Sequence, residues 1–390
     1  MAPNNFHVLV IGGGSTGAAL AHDLALRGLR VTLVERGELT SGTAGRHHGL
    51  LHSGGRYAVK DQESARECIE ENRILRRIAP GSFEENDGLF VAISEADVAY
   101  QAPFLQGCAE CGIPTRVLSR ADALCCEPYL NPAVKLAVQV PDATLDCWRL
   151  PLRFFATAKH NGADIRPYQE VTGIVRRGDT VTGVCLKSHL DGHQYELGAD
   201  IVVNATGAWA EQVSELAGVR VPVRPSPGVM VAVRGRWCNM VLNRLAPSGD
   251  GDIIVPQRSL SVIGTTSWYT EDPDRLGLPE EHVQKMYAKG AELIPALQTA
   301  PLRAAWAAAR PLIGEETLAG GRELSRTFKA YDHKLRDGVE GIVTISGGKG
   351  TTMRGMAELT ANLVCQKLGI AAPCRTREVV LLPYWAYYQG

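Results

Sequence analysis

No run in this sequence has the length and unbroken apolarity of a membrane-spanning helix. The opening MAPNNF leads into an apolar strand without the basic start and apolar centre of a signal peptide. A cytoplasmic protein is therefore expected, held at most at the inner membrane face by a partner. A surplus of either charge is missing too. With a formal net charge of −1, the chain lacks the basic surplus typical of nucleic-acid binders. Its ten cysteines form no metal framework: Cys108 and Cys111 have no second pair at zinc-ribbon spacing, Cys125-Cys126 is not one, and no iron–sulfur pattern occurs. Free thiols, two of them one helical turn apart, are the simpler expectation for an intracellular chain. Internal repeats and low-complexity segments are also absent. At 390 residues the chain exceeds one compact core, which predicts two domains.

What is present begins at Val8. Four apolar residues to Ile11 read as a buried strand and run into Gly12-Gly13-Gly14-Ser15-Thr16-Gly17. Ala18, Ala21, Leu24 and Ala25 then follow a helical period that stops at Gly28, and 31–34 is a second strand ending in Glu35. Each part of this βαβ unit suits a dinucleotide. Gly12 permits the tight turn, Gly14 lets a pyrophosphate approach, and Gly17 lets helix and strand pack closely. The helix N-terminus presents N–H groups to the phosphates, and Glu35 can accept from a ribose. The motif alone does not choose between FAD and NAD.

Further along, 41–57 places three histidines and two arginines among glycines, which suits backbone packed on a flat ligand with polar side chains aimed at a pocket. An amphipathic helix is expected over 63–78, a strand over 88–93, a helix over 102–111, a turn-rich connection over 141–146 and a helix over 153–161. Strands follow over 165–174, 181–187 and 199–204, the last entering Ala205-Thr206-Gly207 much as the first strand enters its glycines. The middle, 219–310, alternates short strands and turns before a helix at 280–294, and reads as an antiparallel sheet. Arg310 follows an alanine-rich stretch expected to be an apolar helix. A strand at 341–346 then enters Gly347-Gly348-Lys349-Gly350-Thr351-Thr352, ahead of a helix over 353–368. That loop lacks the GxxxxGK[ST] spacing, so a nucleoside triphosphate site is not expected.

Three segments together carry a more specific signal: GGGSTGAALAHDLALRGLRVTLVERG, TAGRHHGLLHSGGRYAVKDQESARECIEEN and TISGGKGTTMRGMAE, supported by IVVNATGAWA, LSVIGTTS and ARPLIG. In these the chain resembles the FAD-dependent glycerol-3-phosphate dehydrogenases, most closely the catalytic subunits of the anaerobic bacterial type, over nearly its whole length to about Cys374. The resemblance implies a D-amino-acid-oxidase-like α/β fold. A Rossmann-like FAD-binding domain (1–80, 150–215 and 330–375) would be interleaved with an antiparallel-sheet substrate domain (81–149 and 216–329), followed by a tail (376–390). It implies FAD as cofactor, a small phosphorylated polyol as substrate, and a partner subunit or quinone as electron acceptor; homo-oligomerisation stays open.

The resemblance also assigns residues. To FAD it gives Gly12, Gly14, Ser15, Thr16, Gly17, Glu35 and Arg36 from the first unit. From the histidine-rich segment come Thr43, Gly45, Arg46, His48 and Gly49. Val171, Ala205 and Gly207 follow, with Gly347, Gly348, Lys349, Gly350 and Thr351 from the last turn. His52 is the expected base, with His48 as rival, Arg56 as electrostatic partner and Lys349 as a charge near the reacting centre. Arg310 and Arg326 would hold the substrate phosphate, for which a planar guanidinium fork is suited, with Tyr57 and Thr352 nearby. Two departures stand out. Longer members continue into a cysteine-bearing domain, and Pro227 stands where close relatives carry lysine. The expected activity is oxidation of sn-glycerol 3-phosphate to dihydroxyacetone phosphate. Oxidation of a 2-hydroxy acid, an amine or another polyol derivative, and a non-catalytic electron-relay role, remain as alternatives.

Overall fold

The computed structural model describes residues 6–314 and 327–389. Two large sheets dominate. The first has six strands in the order Phe328–Asp332, Ile342–Gly347, Ile201–Asn204, His7–Ile11, Arg30–Val34 and Asp164–Arg166, all parallel except Phe328–Asp332. Its central strands are covered on both faces, which is why they read as unbroken apolar runs. Alternate side chains take opposite sides. Val8 and Val10 join Leu20, Leu24, Phe154, Phe155 and Val364 from the helices Ser15–Leu26, Arg149–His160 and Met353–Lys367. Leu9 and Ile11 instead meet Val184 and Leu186 of a three-stranded antiparallel sheet, Gln169–Arg177, Thr180–Ser188 and Gln194–Gly198.

The second sheet has eight strands in the order Leu302–Ile313, Val223–Arg234, Leu260–Gly264, Ile253–Gln257, Val241–Arg244, Gly88–Ala92, Leu136–Val140 and Arg116–Ser119. Every neighbouring pair is antiparallel except Val241–Arg244 with Gly88–Ala92. The two-residue period again sorts the faces. Val229, Val231 and Val233 pack with Met286 and Leu293 of the helix Glu280–Leu293, while Met230 and Ala232 lie on the opposite side with Ala308.

Three local expectations need correction. The alanine-rich stretch before Arg310 is no helix: it lies in the strand Leu302–Ile313, paired along its length with Val223–Arg234. Helix propensity is a weak preference, and a long ladder overrides it. The single strand expected over 165–174 is two, Asp164–Arg166 and Gln169–Arg177, separated at Tyr168, whose φ of 60° is incompatible with a continuing strand. The connection at 141–146 contains a short strand, Ala143–Leu145, that pairs with Leu50–Leu51 and Phe83–Glu84. All ten cysteines are free thiols. Among the described residues, no helix is long and apolar enough to cross a membrane.

The helix Ser15–Leu26 buries His22 completely, with both ring nitrogens lacking a hydrogen-bond partner among the described residues and the ring edge-on to Phe154 at 5.7 Å. Burial lowers its pKa from 6.5 to about 4. An unfolded chain therefore binds this proton at higher pH than the folded one. The stability His22 confers as a neutral ring is intact above pH 6.5 and falls as pH drops toward 4, by about 3 kcal/mol there at 1.36 kcal/mol per unit. His22→Leu is expected to unfold at a denaturant midpoint that declines less between pH 7 and pH 4.5 than the parent's. Parallel declines would remove this account.

Candidate active site

The parallel strands His7–Ile11, Ile201–Asn204 and Ile342–Gly347 all end at the same edge of their sheet, and each delivers a glycine turn there. Brought together, Gly12–Gly14, Ala205–Gly207 and Gly347–Gly350 line one side of a cavity of about 1110 Å³. The crevice beyond the carboxyl ends of such strands is where open α/β sheets bind ligands. Across the cavity stands the eight-stranded sheet, through Gly228, Met230, Ile253, Ala308 and Arg310. The segment 40–57 forms the floor between them.

The first turn fits a pyrophosphate. Gly12 has φ 110°, and a Cβ there would lie 2.8 Å from the Ala205 carbonyl oxygen; at Gly17 it would lie 1.9 Å from the oxygen of Gly12. The first packs this turn against the neighbouring one, the second closes the strand–helix turn, and neither tolerates a side chain. At Gly14 a Cβ would meet nothing nearer than Ala44 at 3.7 Å, so it would fill cavity space. The helix Ser15–Leu26 has no side-chain cap and no acid in its first turn, which leaves its positive end to an anion. Glu35 is anchored by the backbone N–H groups of Gly13 at 2.7 Å and Gly37 at 2.9 Å. Ser15, Thr16, Arg36, Thr43, Arg46 and Val171 also line this half. Arg36 pairs with Asp274 and stacks over Trp209, 4.9 Å from its ring centre. The hydroxyl of Thr43 donates to Ala309 O at 2.6 Å and ties the floor to the far sheet.

Five assigned residues stand behind the wall instead of in it. Gly17 and Gly45 serve close packing, the latter against Trp148 and Thr40. Gly49 has φ 80° and packs beside Gln257. Thr352 is buried, and its hydroxyl accepts from Lys349 N at 3.0 Å and donates to Lys349 O. Thr351 is buried as well, and its hydroxyl accepts from His52 N at 3.0 Å. Arg326 lies outside the described residues.

The other half of the cavity gathers the polar groups. His47, His48, His52 and Tyr57 form a chain of rings with successive centroid separations of 6.3, 6.2 and 5.5 Å. Burial holds the pKa of His47 near 4. Burial, then repulsion from a protonated His47 and the charges of Arg56 and Arg310, hold that of His48 near 3. His52 is pushed well below the ordinary 6.5 by burial, followed by His48, Arg56 and Lys349. All three rings are therefore neutral at physiological pH. His47 Nδ1 accepts from Gly49 N at 3.0 Å, whereas His48 Nδ1 is buried with no hydrogen-bond partner among the described residues.

Three cations face these rings. Arg56 is ion-paired with Asp252 at 2.8 Å and donates to Gly249 O at 2.9 Å. Lys349 Nζ sits over the Tyr57 ring at 4.9 Å and 3.9 Å from Glu67 Oε2. Burial pushes the Glu67 carboxyl up to about 7, against the pull of that ammonium. Arg310 donates to Ser226 O at 3.3 Å, Thr265 Oγ1 at 3.0 Å, Pro227 O at 3.1 Å and Thr266 O at 2.7 Å. These four oxygens aim the guanidinium. A Cβ at Gly228 would lie 2.6 Å from Arg310 Nη2 and 2.5 Å from Thr266 O, so this seat exists only beside glycine.

Sequence reading missed Asp252, Thr265, Thr266, Trp209 and Asp274. Their site contacts come from residues far away in sequence; Trp209 lay in a stretch already singled out, IVVNATGAWA, and Thr265 and Thr266 in another, LSVIGTTS, but without a role assigned.

The comparisons with known proteins agree with this geometry. The profile of the FAD dependent oxidoreductase family matches residues 7–363. One subunit of the anaerobic glycerol-3-phosphate dehydrogenase of Haloferax volcanii is 48% identical over 387 residues, covering 95% of this chain and 65% of that protein. The corresponding subunit of the Escherichia coli enzyme is 44% identical, covering 96% of this chain and 69% of its own. The chain thus spans about two thirds of the length of these relatives. A crystal structure of the Bacillus halodurans glycerol-3-phosphate dehydrogenase with FAD superimposes with a TM-score of 0.73 at 25% identity, covering 98% of this chain and 68% of that one. The glycine turns and the uncapped helix end fit the FAD that these matches imply. The chain belongs to the FAD dependent oxidoreductase family, in its glycerol-3-phosphate dehydrogenase branch.

Proposed function

We propose that this chain oxidises sn-glycerol 3-phosphate to dihydroxyacetone phosphate. Bound FAD supplies the acceptor for the hydride that leaves the carbinol carbon. The observation that carries this reading is one cavity, walled by three glycine turns on one side and holding Arg310, Arg56 and Lys349 around neutral histidines on the other. Arg310, aimed by Thr265, Thr266 and Pro227, takes the phosphate, with Arg326 as the second guanidinium.

His52 accepts the hydroxyl proton as the C–H bond breaks and the carbonyl forms, then passes it to solvent. Its depressed pKa keeps its lone pair available at neutral pH. Arg56 and Lys349 stabilise the oxygen as it gains negative charge, in a buried setting where such fields are strong. Asp252 holds Arg56 in place. Electrons leave for a partner subunit or a quinone; the name of the E. coli relative, which makes it one component of a larger enzyme, supports the partner. Docking at the inner membrane face would follow from that partner. The division proposed for the chain sets the FAD-binding segments 1–80, 150–215 and 330–375 against a substrate domain of 81–149 and 216–329.

Anaerobic mixing of the FAD-loaded protein with sn-glycerol 3-phosphate is expected to bleach the visible flavin band. A band that persists with this substrate but is lost with dithionite would remove the proposal.

A further inference from the structure

The backbone of His52 is gripped from both sides by Thr351 and Asn72, neither of which lines the cavity. On one side His52 N donates to Thr351 Oγ1 at 3.0 Å. On the other, its carbonyl accepts from Asn72 Nδ2 at 3.1 Å. Asn72 lies on the helix Gln62–Ile78 and is 1% exposed. Its amide also reaches Pro141 O at 3.0 Å, and its Oδ1 accepts from Arg76 Nε at 2.8 Å. Arg76 in turn donates to Pro141 O and Asp142 O. Asp142 Oδ1 accepts from Ser53 N at 2.6 Å, fixing the residue after the histidine as well.

The surroundings explain why such a grip is needed. Leu50–Leu51 is only two residues long, and beyond it the chain turns through Gly54 at φ 98°. A regular ladder therefore cannot fix His52, and without its two partners a buried N–H and carbonyl would be left unsatisfied. Thr351 belongs to the turn following Ile342–Gly347, the same turn that carries Gly347–Gly350 into the cavity. The position of the imidazole is thereby referenced to the wall built for the cofactor.

We propose that Asn72 and Thr351 are positioning residues that hold His52 at the reacting distance from FAD and substrate. This rests on the assignment of His52 as base in the proposed function. The two residues act through the main chain of His52: they neither exchange protons nor bind substrate. A misplacement of about 1 Å from outside the reacting groups can cost about 10²-fold in rate, so the clamp should govern the chemical step and leave binding alone.

Stopped-flow reduction of the FAD-loaded protein by sn-glycerol 3-phosphate tests this. Thr351→Val keeps the shape and removes the acceptor, and Asn72→Leu removes the donor. Each is expected to lower the limiting rate of flavin reduction by about 10²-fold, with the substrate Kd, the FAD content and the flavin midpoint potential unchanged. Thr351→Ser, which keeps the hydroxyl, is expected to restore the rate. A purely structural role predicts lower thermal stability or FAD content with an unchanged rate per bound flavin, and that result overturns the clamp. Should Asn72→Leu not fold, Thr351→Val decides alone. His52→Asn separates the two proposals. A slow His52→Asn beside fast clamp variants sinks only the clamp, whereas a fast His52→Asn sinks the base assignment beneath it.

Discussion

Replacing His52 by asparagine is expected to slow reduction of the bound flavin by sn-glycerol 3-phosphate about 10²–10⁴-fold, the usual worth of a positioned proton acceptor. Asparagine keeps polarity and approximate size but cannot accept the proton. FAD should still bind, because His52 lies on the cationic side of the cavity, away from the turn at Gly12–Gly14. The parent protein gives a second signature. Because burial, His48, Arg56 and Lys349 hold the imidazole neutral, the acid limb of kcat/KM should fall well below pH 6.5. His48→Asn is the necessary companion, since His48 Nδ1 is also buried and has no hydrogen-bond partner among the described residues. If that variant loses the rate and His52→Asn keeps it, the roles of the two histidines are exchanged.

Arg310→Ala should weaken sn-glycerol 3-phosphate binding by about 2–5 kcal/mol, the cost of removing one member of a buried charged pair. At about 1.4 kcal/mol per decade, that is a loss of roughly one and a half to three or more orders of magnitude in Kd. The substitution also strips donors from Ser226 O, Pro227 O and Thr266 O, so some loss of stability accompanies it. Affinity for a neutral, unphosphorylated polyol provides the control. Loss confined to the phosphorylated ligand supports the phosphate role, while equal losses would mean that Arg310 only braces the sheet. Arg310→Lys should recover part of the affinity, as a point charge without the planar fork.

The sequence announces a site most clearly where backbone chemistry is peculiar. Each glycine turn follows a buried strand, and few other arrangements call for GGGSTG, ATG and GGKG in those places. The same holds for HSGGRY, whose glycines and cations suit neither a core strand nor a solvent loop. Legibility ends where a role depends on a distant partner. Asp252 reads only as the first residue of a short strand until the fold sets it against Arg56, 196 positions earlier in the chain. Asn72 looks like one polar residue on an amphipathic helix, and nothing local tells that its amide meets His52 O. The alanines before Arg310 misled for the opposite reason. Their local preference is helical, but pairing with Val223–Arg234 decides.

The seat of Arg310 has a bearing on how this cavity could change over generations. Any side chain at position 228 collides with the guanidinium and with Thr266 O. Enlarging Gly228 alone would evict the arginine, and shortening Arg310 alone would leave a void with unmet carbonyls beside a glycine. A descendant enzyme drifting toward an uncharged substrate would thus cross a valley at either single step, and Gly228 and Arg310 are bound to be inherited, or abandoned, as a pair.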